Sequence, residues 1–332
     1  MSRTEERCPA AIDYRTHWGA YFDSDELELL ERTVTRLHLD SGPHTLCIRH
    51  FPGTTDAPTV LIAHGMLGYG VPFARFHLPF IHAGFNVVQF DFPGMGYSTG
   101  RRGAGPIDAL IRAWRAVFQW ASAQFNGPLY IAANAEDGVL AYYALANEQR
   151  LTALSVHTLF EYGDPRGAYW LRPWPAFYAA RAVLKTAAAY RPTTGVPGTW
   201  TIPWKHVFAG DDADFRRLLL ADASALQRGE ASLGFGLLRS RSPRVPFEEC
   251  ATPVQVIASG ESRIWPAELC RDTFQRLGGP KEYVELPNAP HWDMSRAFHD
   301  AYCQRVIDWF RSQRTETGAL LRRDASFPGS VV

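Results

Sequence analysis

Hydrophobic and polar positions divide this chain into short apolar runs and longer amphipathic stretches. Residues 25 to 33 carry a short acidic helix pattern. The runs Thr33 to Asp40 and His44 to Phe51 flank Ser41-Gly42-Pro43, which predicts an antiparallel opening hairpin. From Thr59 the two textures alternate: TVLIAH, a helix near 72 to 83, NVVQFD, a helix near 106 to 124, PLYIAA, a helix at 137 to 148, then LTALSVHTLF over 151 to 160. Strand and helix in regular alternation predict βαβ units and a mostly parallel sheet covered on both faces. The pattern breaks from 162 to 250, where tryptophans and prolines punctuate short helical pieces, and it resumes with TPVQVIAS (252 to 259). A helix at 266 to 277, the strand EYVELP (282 to 287) and a closing helix at 296 to 312 complete it.

The expected organisation is an N-terminal segment over 1–29, an α/β core from 30–161 and 251–312, an inserted helical cap over 162–250 and a flexible tail over 313–332. A composition of 46% hydrophobic and 20% charged residues supplies a large core and argues against a disordered chain. Basic and acidic residues number 34 each, so no overall field draws the protein to nucleic acid or an anionic membrane. A small-molecule hydrophobic or acyl substrate is the expected partner. No window is apolar enough for a signal peptide or a membrane span, which predicts a cytoplasmic protein. The five cysteines are scattered, without CxxC spacing, and read as reduced thiols rather than a zinc site or disulfide framework.

Four loops follow the carboxyl ends of predicted parallel strands, where open α/β sheets place ligands. They contain His64-Gly65-Met66, the run Asp91 to Ser98, Ala133-Asn134-Ala135-Glu136-Asp137-Gly138, and Ala289-Pro290-His291-Trp292. In order and spacing these loops resemble the α/β-hydrolase superfamily, nearest to cap-bearing serine esterases, lysophospholipases and monoacylglycerol-lipase-like enzymes, over about residues 30 to 312. The resemblance implies an α/β-hydrolase fold and a serine nucleophile on a strained strand-to-helix turn between small residues. Here that position holds Ala135, and Asp137 stands where a small residue is expected. Sliding the frame by one residue makes Glu136 a carboxylate nucleophile instead.

By the same resemblance, His291 is the general base, the main-chain N–H groups of Met66 and Glu136 form the oxyanion hole, and Asp91 with its glycines shapes a turn. His64, Gly65, Trp170 and Trp174 are candidate substrate contacts, with loop ordering the plainer role for His64 and core packing for the tryptophans. The triad acid is open: Ser262 occupies the usual aspartate place, Glu161 and Glu261 are near-equal alternatives, and Asp164 is a third. No metal or organic cofactor is indicated. An engineered Ser→Ala change would explain Ala135 but not the altered acid position, which favours a relaxed or redirected site. Three functions remain open: an ester or thioester hydrolase or acyltransferase lineage that would act with serine at 135, non-covalent acid-base chemistry of lyase or cyclase type at His291, and ligand binding without catalysis.

Overall fold

The computed structural model describes residue 19 and residues 21–54, 56–65, 68–101, 106–171, 173–197, 207–208, 212–222, 224–225 and 228–324, with side chains at 169–170, 196–197 and 314–324 excepted. Met66, Trp200, Trp204, Cys8 and the last residues of the expected tail lie outside this set, as does the side chain of Trp170.

The chain opens with helix α1 (Ser24–Thr33), where the Glu26 carboxylate accepts the Asp23 N–H at 3.0 Å and so satisfies a main-chain donor at the helix start. Strands β1 (Thr35–Ser41) and β2 (His44–Phe51) form the antiparallel hairpin, with Gly42 taking φ 60° in the turn. β3 (Thr59–Ile62) follows. The helix expected over 72 to 83 is instead a 3-10 turn, Ala74–Phe76, and the short helix α2 (Leu78–His82). Pro79 accounts for the division, because it has no N–H to continue a helix arriving from residue 75 but fits the first turn of a new one.

Then come β4 (Asn86–Phe90), α3 (Ile107–Gln124), β5 (Leu129–Asn134), α4 (Glu136–Leu145) and β6 (Leu151–His157). β3, β4 and β5 are buried at every residue. That is the consequence of helices on both faces of a parallel sheet and the reason these strands read as continuous apolar runs. In α3 the buried Ile107, Leu110, Ile111, Trp114, Val117, Phe118 and Ala121 recur at helical spacing and lay one stripe against the sheet.

Beyond β6 the inserted segment holds α5 (Trp174–Tyr190), β7 (Gly195–Pro197), α6 (Ala213–Ala221), β8 (Arg228–Glu230) and α7 (Ala231–Leu238). β7 and β8 pair as a small antiparallel ribbon that periodicity did not signal. Ala168, Phe177 and Leu238 form a separate apolar cluster within this insertion. An antiparallel bridge between Tyr162 and Arg241 brings its two ends together.

The core resumes with β9 (Val254–Ser259), α8 (Ala267–Arg276), β10 (Lys281–Leu286) and α9 (Arg296–Asp324). α9 runs past the expected end at 312 into the expected tail, since the residues that follow include good helix formers and no proline before Pro328. The eight strands lie in the order β1-β2-β4-β3-β5-β6-β9-β10, with the β1–β2 and β2–β4 pairs antiparallel and the other pairs parallel. Strand order reverses at β3, so the crevice beyond β3 and β5 is where an open sheet of this kind binds ligands. This is an α/β-hydrolase fold with an inserted helical cap. Among the described residues no helix is long and apolar enough to cross a membrane.

Candidate active site

β5 ends at Asn134 and α4 begins at Glu136, leaving Ala135 alone in the turn with φ 57° and ψ −139°. A side chain in that region strains the backbone by about 1–3 kcal/mol. It does so at the apex of the crevice, where a nucleophile would be lifted toward a substrate. The strained residue is Ala135, and Glu136 is already helical, so the frame that makes Glu136 the nucleophile does not fit the turn. As the first residue of α4, Glu136 has a main-chain N–H without an acceptor in its own helix, as an oxyanion donor requires. The other expected donor, Met66, is outside the described residues.

The departure at Asp137 has a packing explanation. Its side chain points into the core, where Trp114 Nε1–H of α3 donates to Oδ1 at 2.7 Å, and it leaves the apex clear. Close approach of α4 to the sheet falls to Gly138, where a Cβ would lie 2.9 Å from the Thr158 carbonyl and 3.0 Å from Val156 Cβ. Asp137 Oδ2 is buried without a hydrogen-bond partner among the described residues, and burial pushes the carboxyl well above the ordinary value despite Trp114. Glu136 is half-buried, and loss of hydration pushes its carboxyl up to about 8.

Across the crevice, His64 is fully engaged. The Phe92 N–H donates to Nε2 at 3.2 Å and Nδ1 lies 2.9 Å from the Gly65 carbonyl, which sets the tautomer with hydrogen on Nδ1. His64 thus ties two loops together and has no ring nitrogen left for a substrate proton. Gly65 does border the apex: a Cβ there would lie 3.5 Å from the Trp292 ring and 3.9 Å from Ala135 Cβ. Below, Asp91 is the hub of a buried network. It accepts two bonds from Arg49, at 3.1 and 3.0 Å, and main-chain N–H groups from Gly70 at 2.8 Å and Tyr97 at 3.0 Å. Burial would raise its carboxyl, but Arg49 and these donors hold it down to about 2.

His291 follows β10 and precedes α9, in the crevice, and is 3% exposed. Its neighbours are rings: Trp265 at 4.7 Å, His157 stacked at 5.5 Å and Trp292 at 5.6 Å between centroids. Nδ1, the nitrogen that a triad acid would orient, has no hydrogen-bond partner among the described residues. Burial and the adjacent His157 keep the imidazole far below its ordinary pKa and therefore neutral.

Neither near-equal acid candidate reaches this nitrogen. The Glu161 carboxylate pairs with Arg276 at 2.8 Å on the surface, and Glu261 is exposed, its main-chain N–H bonded to Ala289 O. Asp164 is held by Arg166, at 2.8 Å. Ser262, in the usual acid place, points back to accept the Trp265 N–H at 3.1 Å. The turn it closes delivers Trp265 against His291, so an aromatic ring fills the space beside the histidine.

The cap reaches the site through residues other than Trp174, and the Trp170 side chain lies outside the described residues. Trp174 packs against the cap's own cluster beside Phe177 and Leu238. Instead, Phe208 bridges to Trp292, whose N–H bonds to Val207 O at 2.9 Å, and the Met294 N–H bonds to Asp212 at 2.8 Å. Phe73 and Phe76 each stand 5.3 Å from the Trp292 ring, completing an aromatic wall beside Ala135. At the end of α6, Asp222 accepts the hydroxyls of Tyr69 at 2.8 Å and Tyr21 at 3.2 Å, strapping the cap to the N-terminal segment. Sequence reading also passes over Tyr302, and it reads His157, in an apolar run, as structural. His157 ends β6, a position that itself points to the carboxyl edge, and bonds Ser259 Oγ at 2.9 Å, while Tyr302 donates to Asn134 beside the apex at 3.1 Å.

Solved structures share this architecture. The monoacylglycerol lipase of Paleococcus ferrophilus matches with a TM-score of 0.63 at 16% identity, over 84% of this chain and 99% of that one. A soluble variant of Saccharomyces cerevisiae monoglyceride lipase with a substrate analogue matches at 0.64 and 14%, over 84% and 95%. A thermophilic esterase from Thermogutta terrifontis matches at 0.60 and 16%, over 84% and 99%. At such identities the likeness concerns the fold. Comparison with curated protein sequences gave no match. The family model for serine aminopeptidase, S33, matches residues 55–292, most of the chain, and so the chain belongs to that family of the α/β-hydrolase superfamily.

Proposed function

We propose that this member of a lipase- and esterase-like family binds a hydrophobic acyl ligand under its cap without forming an acyl-enzyme. The carrying observation is the pairing of a methyl group at the strained apex with a histidine whose orienting nitrogen is unpartnered. Covalent hydrolysis needs an attacking oxygen, a base to take its proton and an acid to hold that base. Ala135 supplies no oxygen, and Trp265 rather than a carboxylate flanks His291. The wall of Phe73, Phe76 and Trp292 suits an acyl chain, and the monoglyceride lipases of the same fold point to the same ligand class.

The test compares the protein with Ala135→Ser. Both are treated with a fluorophosphonate probe and with short and long acyl esters, covalent labelling is followed by intact mass, and binding of a long-chain fatty acid and its monoglyceride is measured by calorimetry. Saturable lipid binding by both forms, with labelling of neither, is the expected result. Labelling and ester turnover by the serine form would instead make this an intact hydrolase lacking only its nucleophile. Absence of lipid binding would remove the binding role.

A second reading draws on Glu136, whose carboxyl at about 8 is protonated near neutral pH beside the apex and so is able to donate a proton in lyase- or cyclase-type chemistry.

A further inference from the structure

On the far side of α4 from the crevice, a groove of about 410 Å³ is lined by Arg112, Arg115, Arg241, Arg244, Tyr143 and Asp108 among others. Four guanidinium groups face one lining carboxylate. Asp108 pairs with Arg241, and Glu148, outside the groove, pairs with Arg244 at 2.8 Å. The remaining donors are largely unused. Arg112 is exposed and makes no hydrogen bond or ion pair with a described residue, although Arg115 stands one helical turn away with the same charge. Among the described residues Arg115 bonds through Nε, to Ala144 O at 3.3 Å, and Arg244 through one nitrogen, to Ala146 O and Glu148. Arg241 Nε is buried with no partner among the described residues.

Packing does not require this. A second groove of about 420 Å³ also contains three arginines, yet Arg166 there is paired with Asp164 and Asp272, and Arg271 with Glu285. Charge balance is thus available to this fold, and the groove beside α3 and α4 lacks it. An excess of guanidinium forks with free N–H pairs matches tetrahedral oxyanions, which accept two parallel bonds per fork.

We propose that this groove is a binding site for a small phosphate-bearing polyanion of diphosphate size. The volume lies within the range of small-ligand pockets. Two phosphoryl groups offer acceptors for Arg112 and Arg115 on one wall and for the other terminal nitrogen of Arg244 on the opposite one, where Asp108 already takes both terminal nitrogens of Arg241, and they carry enough charge to offset the excess. The site is separate from the crevice at Ala135, with α4 between them, and it adds an anionic ligand to the neutral acyl ligand proposed there.

Isothermal calorimetry on the full chain, with inorganic pyrophosphate as the probe, tests the proposal. One saturable site is expected, weakened at least tenfold in the double variant Arg112→Gln/Arg115→Gln and unchanged in Arg263→Gln of the balanced groove. Circular dichroism verifies folding. If the double variant is misfolded, exposed Arg112→Gln alone is expected to weaken binding at least threefold. Absence of a saturable site, or equal affinity in the arginine variants, overturns the proposal. Citrate binding as tightly as pyrophosphate at matched ionic strength would overturn the assignment to phosphate.

Discussion

The loops after β3 and β4 and the loops after β5 and β10 meet at one crevice, yet they treat polar groups in opposite ways. On the first side His64 uses both ring nitrogens, and Asp91 receives Arg49, Gly70 and Tyr97. On the second side His291 Nδ1 and Asp137 Oδ2 are buried without partners among the described residues. Buried polar groups that are fully connected specify a fold, whereas isolated ones penalise it. The first side therefore belongs to the architecture. The second combines the strained apex with a histidine whose orienting nitrogen has no partner among the described residues.

Substitutions can break or sharpen this contrast. The largest effect is expected from Asp91→Asn, which leaves Arg49 buried without its counter-charge and should cost about 3–5 kcal/mol in chemical denaturation. His64→Phe strands the Phe92 N–H and should cost about 1–3 kcal/mol, whereas His291→Phe removes an unpartnered nitrogen and should leave stability within about 1 kcal/mol of the parent or raise it. A large loss in His291→Phe would mean that His291 is wired after all. Ala135→Gly should stabilise by about 1 kcal/mol in the same assay, because relief of the positive φ outweighs the added freedom of the unfolded chain. The last effect is a slope with pH rather than a fixed difference. The Glu136 carboxyl titrates near 8 when folded and near its ordinary 4.5 when unfolded, so the unfolded state loses its proton first and stability falls as pH rises between those values. Glu136→Gln should flatten this slope, with its melting-temperature advantage over the parent growing from pH 5 to pH 8.

The features set by local pattern were legible before any coordinates. Alternation located the strands of the sheet, and the small residues around Ala135 identified the turn, because a strained backbone admits few side chains. The triad acid was not legible, since Glu161 and Glu261 differ from a true partner only in where their carboxylates point, and that is decided by Arg276 and by solvent. Nor was Trp265, whose approach to His291 depends on a turn closed by Ser262. The contacts of Phe208 with Trp292 and the convergence of Arg112 with Arg241 join segments far apart in the chain, and no periodicity encodes such meetings.

The strap at Asp222 has a consequence for biosynthesis. Tyr21 and its acceptor are 201 residues apart, and at ordinary translation speed that separation corresponds to roughly 10–40 s on the ribosome. Tyr21 and Tyr69 emerge early and wait with their hydroxyls unanswered while most of the sheet is made. The cap can be fastened only after Asp222, at the end of α6, has been synthesised, so the crevice stays open to the surrounding medium throughout much of the nascent chain's life and closes late.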